Sequence, residues 1–279
     1  AEGLKTTLLL KNSSVAATCK MHDEALRLKQ SADLLLSMQN QNGGWASYEL
    51  TRAPKFLELL NPSEIFGNIM IDYSYTECTS ACIQGLAEFS KHYPDYRKNE
   101  IDAAINSGLK FILSQQGDDG SWYGSWAVCF TYGTWFATEA LTTGNRQLTT
   151  EIQSALNKAA EFLLSKQNAD GGWGESFESC IQKRYIPHAT SQVVNTSWAV
   201  LSLMAIREFA VGSQQSAINT AIQKGVELII QRQQGNGDWE QESISGVFNH
   251  NCMISYTSYR NVFTIWALGR YVKQNKTTS

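Results

Sequence analysis

QNADGGW, Gln167 to Trp173, follows the helix-like run AAEFLLSK and carries an Asp-Gly-Gly core that reads as a turn. Three near copies occupy the same chain: QNQNGGW ending at Trp45, QGDDGSW ending at Trp122 and QQGNGDW ending at Trp239. All four fit Gln-x-x-x-Gly-x-Trp, beginning at Gln39, Gln116, Gln167 and Gln233. Eight places before each glutamine stands a small residue (Ser31, Gly108, Ala159, Gly225), and five places before it a large apolar one (Leu34, Phe111, Phe162, Leu228). The phrase and the helix ahead of it therefore repeat as one unit.

The intervening sequence has helical periodicity. Ile152, Leu156, Ala159, Phe162 and Leu163 share one face of a helix capped at Thr150, and similar stretches cover roughly 23–38, 78–91, 99–115, 134–142, 191–209, 216–232 and 257–273. No strand alternation stands out. Helices alternating with glycine turns predict stacked helix pairs around a continuous core, an all-α fold of solenoid or closed α/α-barrel (toroid) type. In such a unit the glutamine amide is expected to donate to the open carbonyls at a helix end, and the glycine to supply the left-handed backbone of the turn. The repeat thus reads first as structural.

Composition narrows the function. The chain has 279 residues, of which 43% are hydrophobic and 18% charged, an ordinary globular balance that argues against disorder. Its 23 basic and 26 acidic residues include no basic run, which excludes a nucleic-acid footprint. Six cysteines (Cys19, Cys78, Cys82, Cys129, Cys180, Cys252) form no C-x-x-C pair and are too sparse for a disulfide scaffold, so free thiols are expected. The four histidines (His22, His92, His188, His250) are not spaced as metal ligands, and no phosphate loop or Asp-x-Asp-Asp motif occurs. No metal and no cofactor are expected. Asp118-Asp119 resembles a carboxylate pair but falls inside a repeat turn, where aspartate bonds its own backbone.

The four phrases resemble the QW repeats of the squalene and oxidosqualene cyclases. Four longer stretches carry the same resemblance: FGNIMIDYSYTECTS (66–80), DGSWYGSWAVCFTYGTWF (119–136), DGGWGESFESC (170–180) and GVFNHNCMISYTSYRNVFTIWALGR (246–270). The resemblance implies that residues 1–279 form a single α/α-barrel domain, the C-terminal portion of a longer two-barrel enzyme that folds 2,3-oxidosqualene into rings by a carbocation cascade. A sterol-forming synthase is the first expectation. A cycloartenol-type or other triterpene synthase and a non-catalytic α/α-toroid binding module are the alternatives.

The resemblance also assigns roles. The family's acid motif, Asp-Cys-Thr-Ala-Glu, aligns its last two residues with Ala1-Glu2, which places the epoxide-protonating aspartate three residues before Ala1 and makes Glu2 a proton relay. Cys78 corresponds to the thiol that hydrogen-bonds that acid, and Tyr48 to a tyrosine partnering an upstream histidine in the final deprotonation. Trp126 and Phe248 are implied to face the cations, with Tyr132 and Tyr256 near them, since aromatic faces stabilise positive charge without offering a nucleophile. Phe66, Ile69 and the loop Asn249-His250-Asn251 are implied to lie near the substrate entrance, whereas Cys19, Cys82 and Cys180 are expected to be inert core. The family further implies monotopic attachment to the endoplasmic reticulum or lipid-droplet membrane, through parts upstream of this chain.

Overall fold

Three helices share one burial spacing, and that spacing builds the molecule. In Lys98–Ser114 the buried residues are Ile101, Ala104, Ile105, Gly108, Leu109, Phe111 and Ile112. In Thr150–Ser165 and Gly212–Gln231 they recur at the same intervals, from Ile152 to Leu163 and from Ile218 to Ile229. Such a one-sided apolar stripe marks a helix with one face on the core and one in water.

The computed structural model describes residues 18–143, 149–249 and 251–276. In chain order its helices are α1 (Thr18–Ser37), α2 (Thr76–His92), α3 (Lys98–Ser114), α4 (Phe130–Leu141), α5 (Thr150–Ser165), α6 (Glu178–Gln182), α7 (Val193–Ile206), α8 (Gly212–Gln231) and α9 (Tyr259–Lys276), with a 3-10 turn at Lys55–Leu60. The one-sided helices α3, α5 and α8, preceded by α1, make an outer layer. Within it runs an inner layer packed in the order α2, α4, α7, α9. Every residue of α7 except Ala205, and every residue of α4 except Phe136, is buried, as expected of helices covered on all sides. This is the all-α toroid layout that the repeat implies.

The repeated phrase links three helices at once. Each tryptophan donates its indole N–H to a carbonyl near the end of the outer helix just left: Trp45 to Leu35, Trp122 to Ile112 and Trp173 to Leu163, each at 2.7 Å, and Trp239 to Ile229 at 2.8 Å. The first three tryptophans also donate their backbone N–H to an inner-helix threonine, Thr79, Thr134 or Thr196. The glutamine works differently from the expectation. Its amide donates to the turn glycine's carbonyl and, across units, to a carbonyl in the middle of the next outer helix: Gln39 to Ala104, Gln116 to Ala155 and Gln167 to Ala221, at 2.8, 2.9 and 3.0 Å. The tryptophan closes the helix end, and the glutamine ties neighbours together.

The small residue of each unit now has a cause. A Cβ on Gly108 would lie 2.9 Å from the Trp45 ring, and one on Gly225 would lie 3.0 Å from the Trp173 ring. The turn glycines Gly43, Gly120 and Gly171 have φ between +86° and +90° and press against the backbone of the next outer helix at Ser107, Lys158 and Lys224. At the fourth phrase this contact is missing among the described residues: Gly237, at φ +85°, has nothing within 4 Å of its Cβ position, and the Gln233 amide reaches only the Gly237 carbonyl. The first unit is the complement. Leu34, counterpart of the buried Phe111, Phe162 and Leu228, is 58% exposed.

Three local details depart from the sequence expectation. The cap of α5 is Thr149, whose hydroxyl accepts the Ile152 N–H, and Thr150 is already helical. The helix expected from residue 134 begins at Phe130, because Glu175 supplies its first N–H groups with a distant acceptor. A short hairpin also exists, β1 (Gly246–Phe248) against β2 (Cys252–Ile254), pairing Val247 with Met253. Strands of three residues leave no alternation to read.

Candidate active site

Around the start of the inner helices, the loop before α4 meets the β1–β2 hairpin. Ala127 bridges Gly246, and the Val128 N–H donates to the Ser245 carbonyl at 2.9 Å. This brings Trp126 against Phe248, with ring centroids 5.0 Å apart and planes at 72°. Phe66 meets Phe248 at 5.2 Å, and Tyr75 meets Trp126 at 5.5 Å. Edge-to-face contacts of this kind leave ring faces free while fixing their angles.

The hairpin tip is pinned to the loop that carries Phe66. Asn249, at φ +49°, donates its amide to the Asn68 carbonyl at 2.6 Å and accepts from the Tyr75 hydroxyl at 3.3 Å. The Gly67 N–H donates to the Asn251 side chain at 2.8 Å. His250 lies outside the described residues, as does Glu2. Ile69 sits beside these bonds with 40% of its surface exposed.

A second ring cluster holds Tyr132 and Tyr256. Tyr132 is buried against Phe136 and Trp198, at 5.1 and 5.0 Å, while Tyr256 packs on Tyr259 at 4.8 Å. Trp198 and Tyr259 join the two at 6.1 Å. The start of α2 meets the first cluster, where Glu77 accepts the Trp126 N–H at 3.1 Å.

Cys78 is half-buried in the first turn of α2, with its sulfur 3.6 Å from the Ser47 hydroxyl. Burial, reinforced by the Glu77 carboxyl, pushes its thiol up to about 12. A thiol held protonated is a hydrogen-bond donor and not a nucleophile. Tyr48 stands apart. Its side chain is 76% exposed, and the structure brings it to neither ring cluster. Its loop is organised by Asp72, whose carboxylate accepts the N–H groups of Ser47, Tyr48 and Glu49 at 3.2, 2.6 and 3.1 Å. Of the cysteines expected to be inert, Cys82 and Cys180 are buried and the Cys19 side chain lies outside the described residues.

Sequence reasoning missed Glu77. Its carboxyl is buried, one oxygen accepts the N–H groups of both Ser125 and Trp126, the latter at 3.1 Å, and the other oxygen has no partner. Burial raises this carboxyl from 4.5 to about 7, against the pull of the backbone N–H groups of Glu77, Ser125 and Trp126. The folded state therefore binds this proton more tightly than the unfolded chain. Its contribution to stability is fully present below pH 4.5 and is lost as pH rises through about 7. The folded chain should be less stable at pH 8 than at pH 5, by on the order of 3 kcal/mol from this group. Urea denaturation at the two pH values checks this. Glu77→Gln should flatten most of the difference, leaving the part due to Glu175, which burial also raises; an undiminished slope would remove Glu77 from the account.

No cluster of three or more metal-ligating side chains exists among the described residues, and no described helix is long and apolar enough to cross a membrane.

A family model described as the squalene-hopene cyclase C-terminal domain matches residues 6–273. The chain belongs to that family. It is 52% identical to mouse (Mus musculus) lanosterol synthase over 97% of its length and 36% of that protein, and 52% identical to the cycloartenol synthase of Dictyostelium discoideum over 97% and 37%. The chain thus spans little more than a third of these relatives. Among solved structures, ent-copalyl diphosphate synthase from Streptomyces platensis superposes with a TM-score of 0.58 at 17% identity, covering 84% of this chain and 37% of that one, a likeness of fold. The two ring clusters and the start of α2, which holds the Trp126 loop, are the candidate site of this chain.

Proposed function

We propose that this chain forms the C-terminal barrel of an oxidosqualene cyclase, and that the full-length protein converts 2,3-oxidosqualene into lanosterol. The observation that carries the reading is the Phe66–Phe248–Trp126–Tyr75 ring cluster, set beside a protonated Cys78. Rings at interior positions can each contribute about 0.5–2 kcal/mol to a cation held over their faces once water is excluded. The rings meet edge to face in one connected group, and the relatives named above are synthases.

In this reading an acid aspartate, donated to by Cys78, opens the epoxide, and the rings stabilise the cation as it moves. Removing the Cys78 hydrogen bond would weaken that acid, because the thiol favours its ionised form. Tyr48 assists the final deprotonation, and Glu2 returns the proton to the acid. A cycloartenol-type product is the second reading, favoured by the equal identity to the Dictyostelium enzyme. Membrane contact at the endoplasmic reticulum or lipid droplet belongs to the same proposal. It is supported within this chain by the 3-10 turn and the loop after it, where Phe56, Leu59, Leu60 and Ile65 are 60–86% exposed.

The test is direct. The full-length protein, incubated with 2,3-oxidosqualene, should yield a tetracyclic sterol by gas chromatography, whose identity also separates lanosterol from cycloartenol. Unconverted substrate would overturn the proposal. Phe248→Leu keeps much of the apolar volume but removes the ring quadrupole, so melting should change little while early-terminated or hydrated products emerge. An unchanged product profile with depressed melting would make Phe248 ordinary core.

A further inference from the structure

Trp126 poses a problem of orientation. Its indole N–H is buried without a hydrogen-bond partner, so the ring's own polar atom does not hold its angle. The ring is held instead by its neighbours Tyr75 and Phe248 and by the backbone on which it stands. That backbone is gripped from a distant helix: the Glu77 carboxyl, 48 and 49 residues away in sequence, accepts the N–H groups of Ser125 and Trp126 on a single oxygen. Other ties run from the Val128 N–H to Ser245 and from the Val247 N–H to the Trp126 carbonyl on the hairpin side, and from the Asn195 amide of α7 to the Val128 carbonyl. Glu77 ties it to α2.

We propose that Glu77 is a positioning residue of this site, which through the Ser125 and Trp126 amides sets the angle of the Trp126 ring and with it the point at which the migrating cation is stabilised. The proposal rests on the cyclase reading. Ring angle matters because an aromatic ring attracts a cation at its face and repels it at its edge, so a tilt of tens of degrees removes or reverses the interaction. The groups that face Glu77 electrostatically from the elements around it are Cys78 on its own helix, Tyr75 before it, Tyr123 and Tyr132 on either side of the Trp126 loop, and Tyr259 from α9. All are weak acids kept neutral by burial. In either protonation state the carboxyl presents an acceptor oxygen to the two N–H donors, so its grip on the loop does not depend on the proton.

The experiment compares Glu77→Ala, Glu77→Asp and Glu77→Gln in the full-length protein supplied with 2,3-oxidosqualene. The readout is the ratio of early-terminated to fully cyclised product, which does not depend on how much protein folds. Glu77→Ala should raise that ratio about tenfold, the change that 1.4 kcal/mol of differential stabilisation produces. Glu77→Asp, which withdraws the oxygen by one methylene, should shift it part of the way, and Glu77→Gln, which keeps an acceptor oxygen in place, should stay within about twofold of the parent. Amide hydrogen exchange gives a second readout, with faster exchange at Ser125 and Trp126 in the alanine variant and parental rates in the glutamine variant. An alanine variant with reduced yield but an unchanged ratio would overturn the proposal, as would a glutamine variant that behaves like alanine. If the parent protein leaves the substrate untouched, the cyclase reading itself fails, while the exchange rates still decide whether Glu77 holds the loop.

Discussion

Gly120→Ala should destabilise the protein far more than Gly237→Ala, although the two glycines share a backbone conformation, at φ +88° and +85°. The left-handed conformation alone costs an alanine about 1–2 kcal/mol, and that is the whole loss expected at Gly237, where nothing stands within 4 Å of a new Cβ. At Gly120 the Cβ would lie 2.4 Å from the Lys158 carbonyl oxygen, a backbone atom of the neighbouring outer helix that has no rotamer by which to retreat. Forcing that contact adds about 1–3 kcal/mol and pries the Gln116 amide from the Ala155 carbonyl. Denaturant melts of the two variants make the comparison, with backbone strain cancelling between them. Equal losses would mean that the turn does not lock onto the next helix.

Glu175→Ala should be the most damaging change near the candidate site. The carboxyl is buried and accepts the N–H groups of Phe130 and Thr131 at 3.0 and 2.9 Å, and the Thr131 hydroxyl at 2.8 Å, at the N-terminus of α4. Alanine strands these donors in the interior and removes a carboxyl from the positive end of a helix, for a loss of about 3–5 kcal/mol. Glu175→Gln keeps one acceptor and should lose less than half as much. Thermal melting ranks the two; a mild alanine phenotype would mean that water reaches the start of α4. Because α4 carries Tyr132 and follows the Trp126 loop directly, the alanine variant should also blur the geometry of both ring clusters.

Glu77 and Glu175 also mark where the sequence stops being legible. A glutamate in the first turn of a helix, as at Glu77, ordinarily faces water and favours the helix dipole, and nothing local distinguishes one that turns inward to a loop 48 residues away. Glu175 sits in DGGWGES, where the phrase itself absorbs attention, and its partners lie 44 and 45 residues earlier. The outer helices, by contrast, were legible because their buried positions obey a local period and their turns recur. The glutamine's partner was misread for the same reason: a helix end is local and visible, whereas Ala104, Ala155 and Ala221 belong to the unit that follows. Trp126, Phe248, Tyr132 and Tyr256 could be picked from among many aromatics only through family resemblance. The structure gathers them in two clusters, while Tyr48 stands exposed on a loop that Asp72 organises.

The direction of these ties bears on how the chain is made. Every cross-unit glutamine bond points forward, to an acceptor synthesised 65, 39 or 54 residues later. At translation speeds of about 5–20 residues per second, each glutamine is added to the chain between about two and thirteen seconds before its acceptor. During that interval the newest turn is unfinished, and the arrival of the next outer helix completes it. Within this stretch of chain each cross-unit joint can therefore close only after the next outer helix has been made, so the joints become available in chain order.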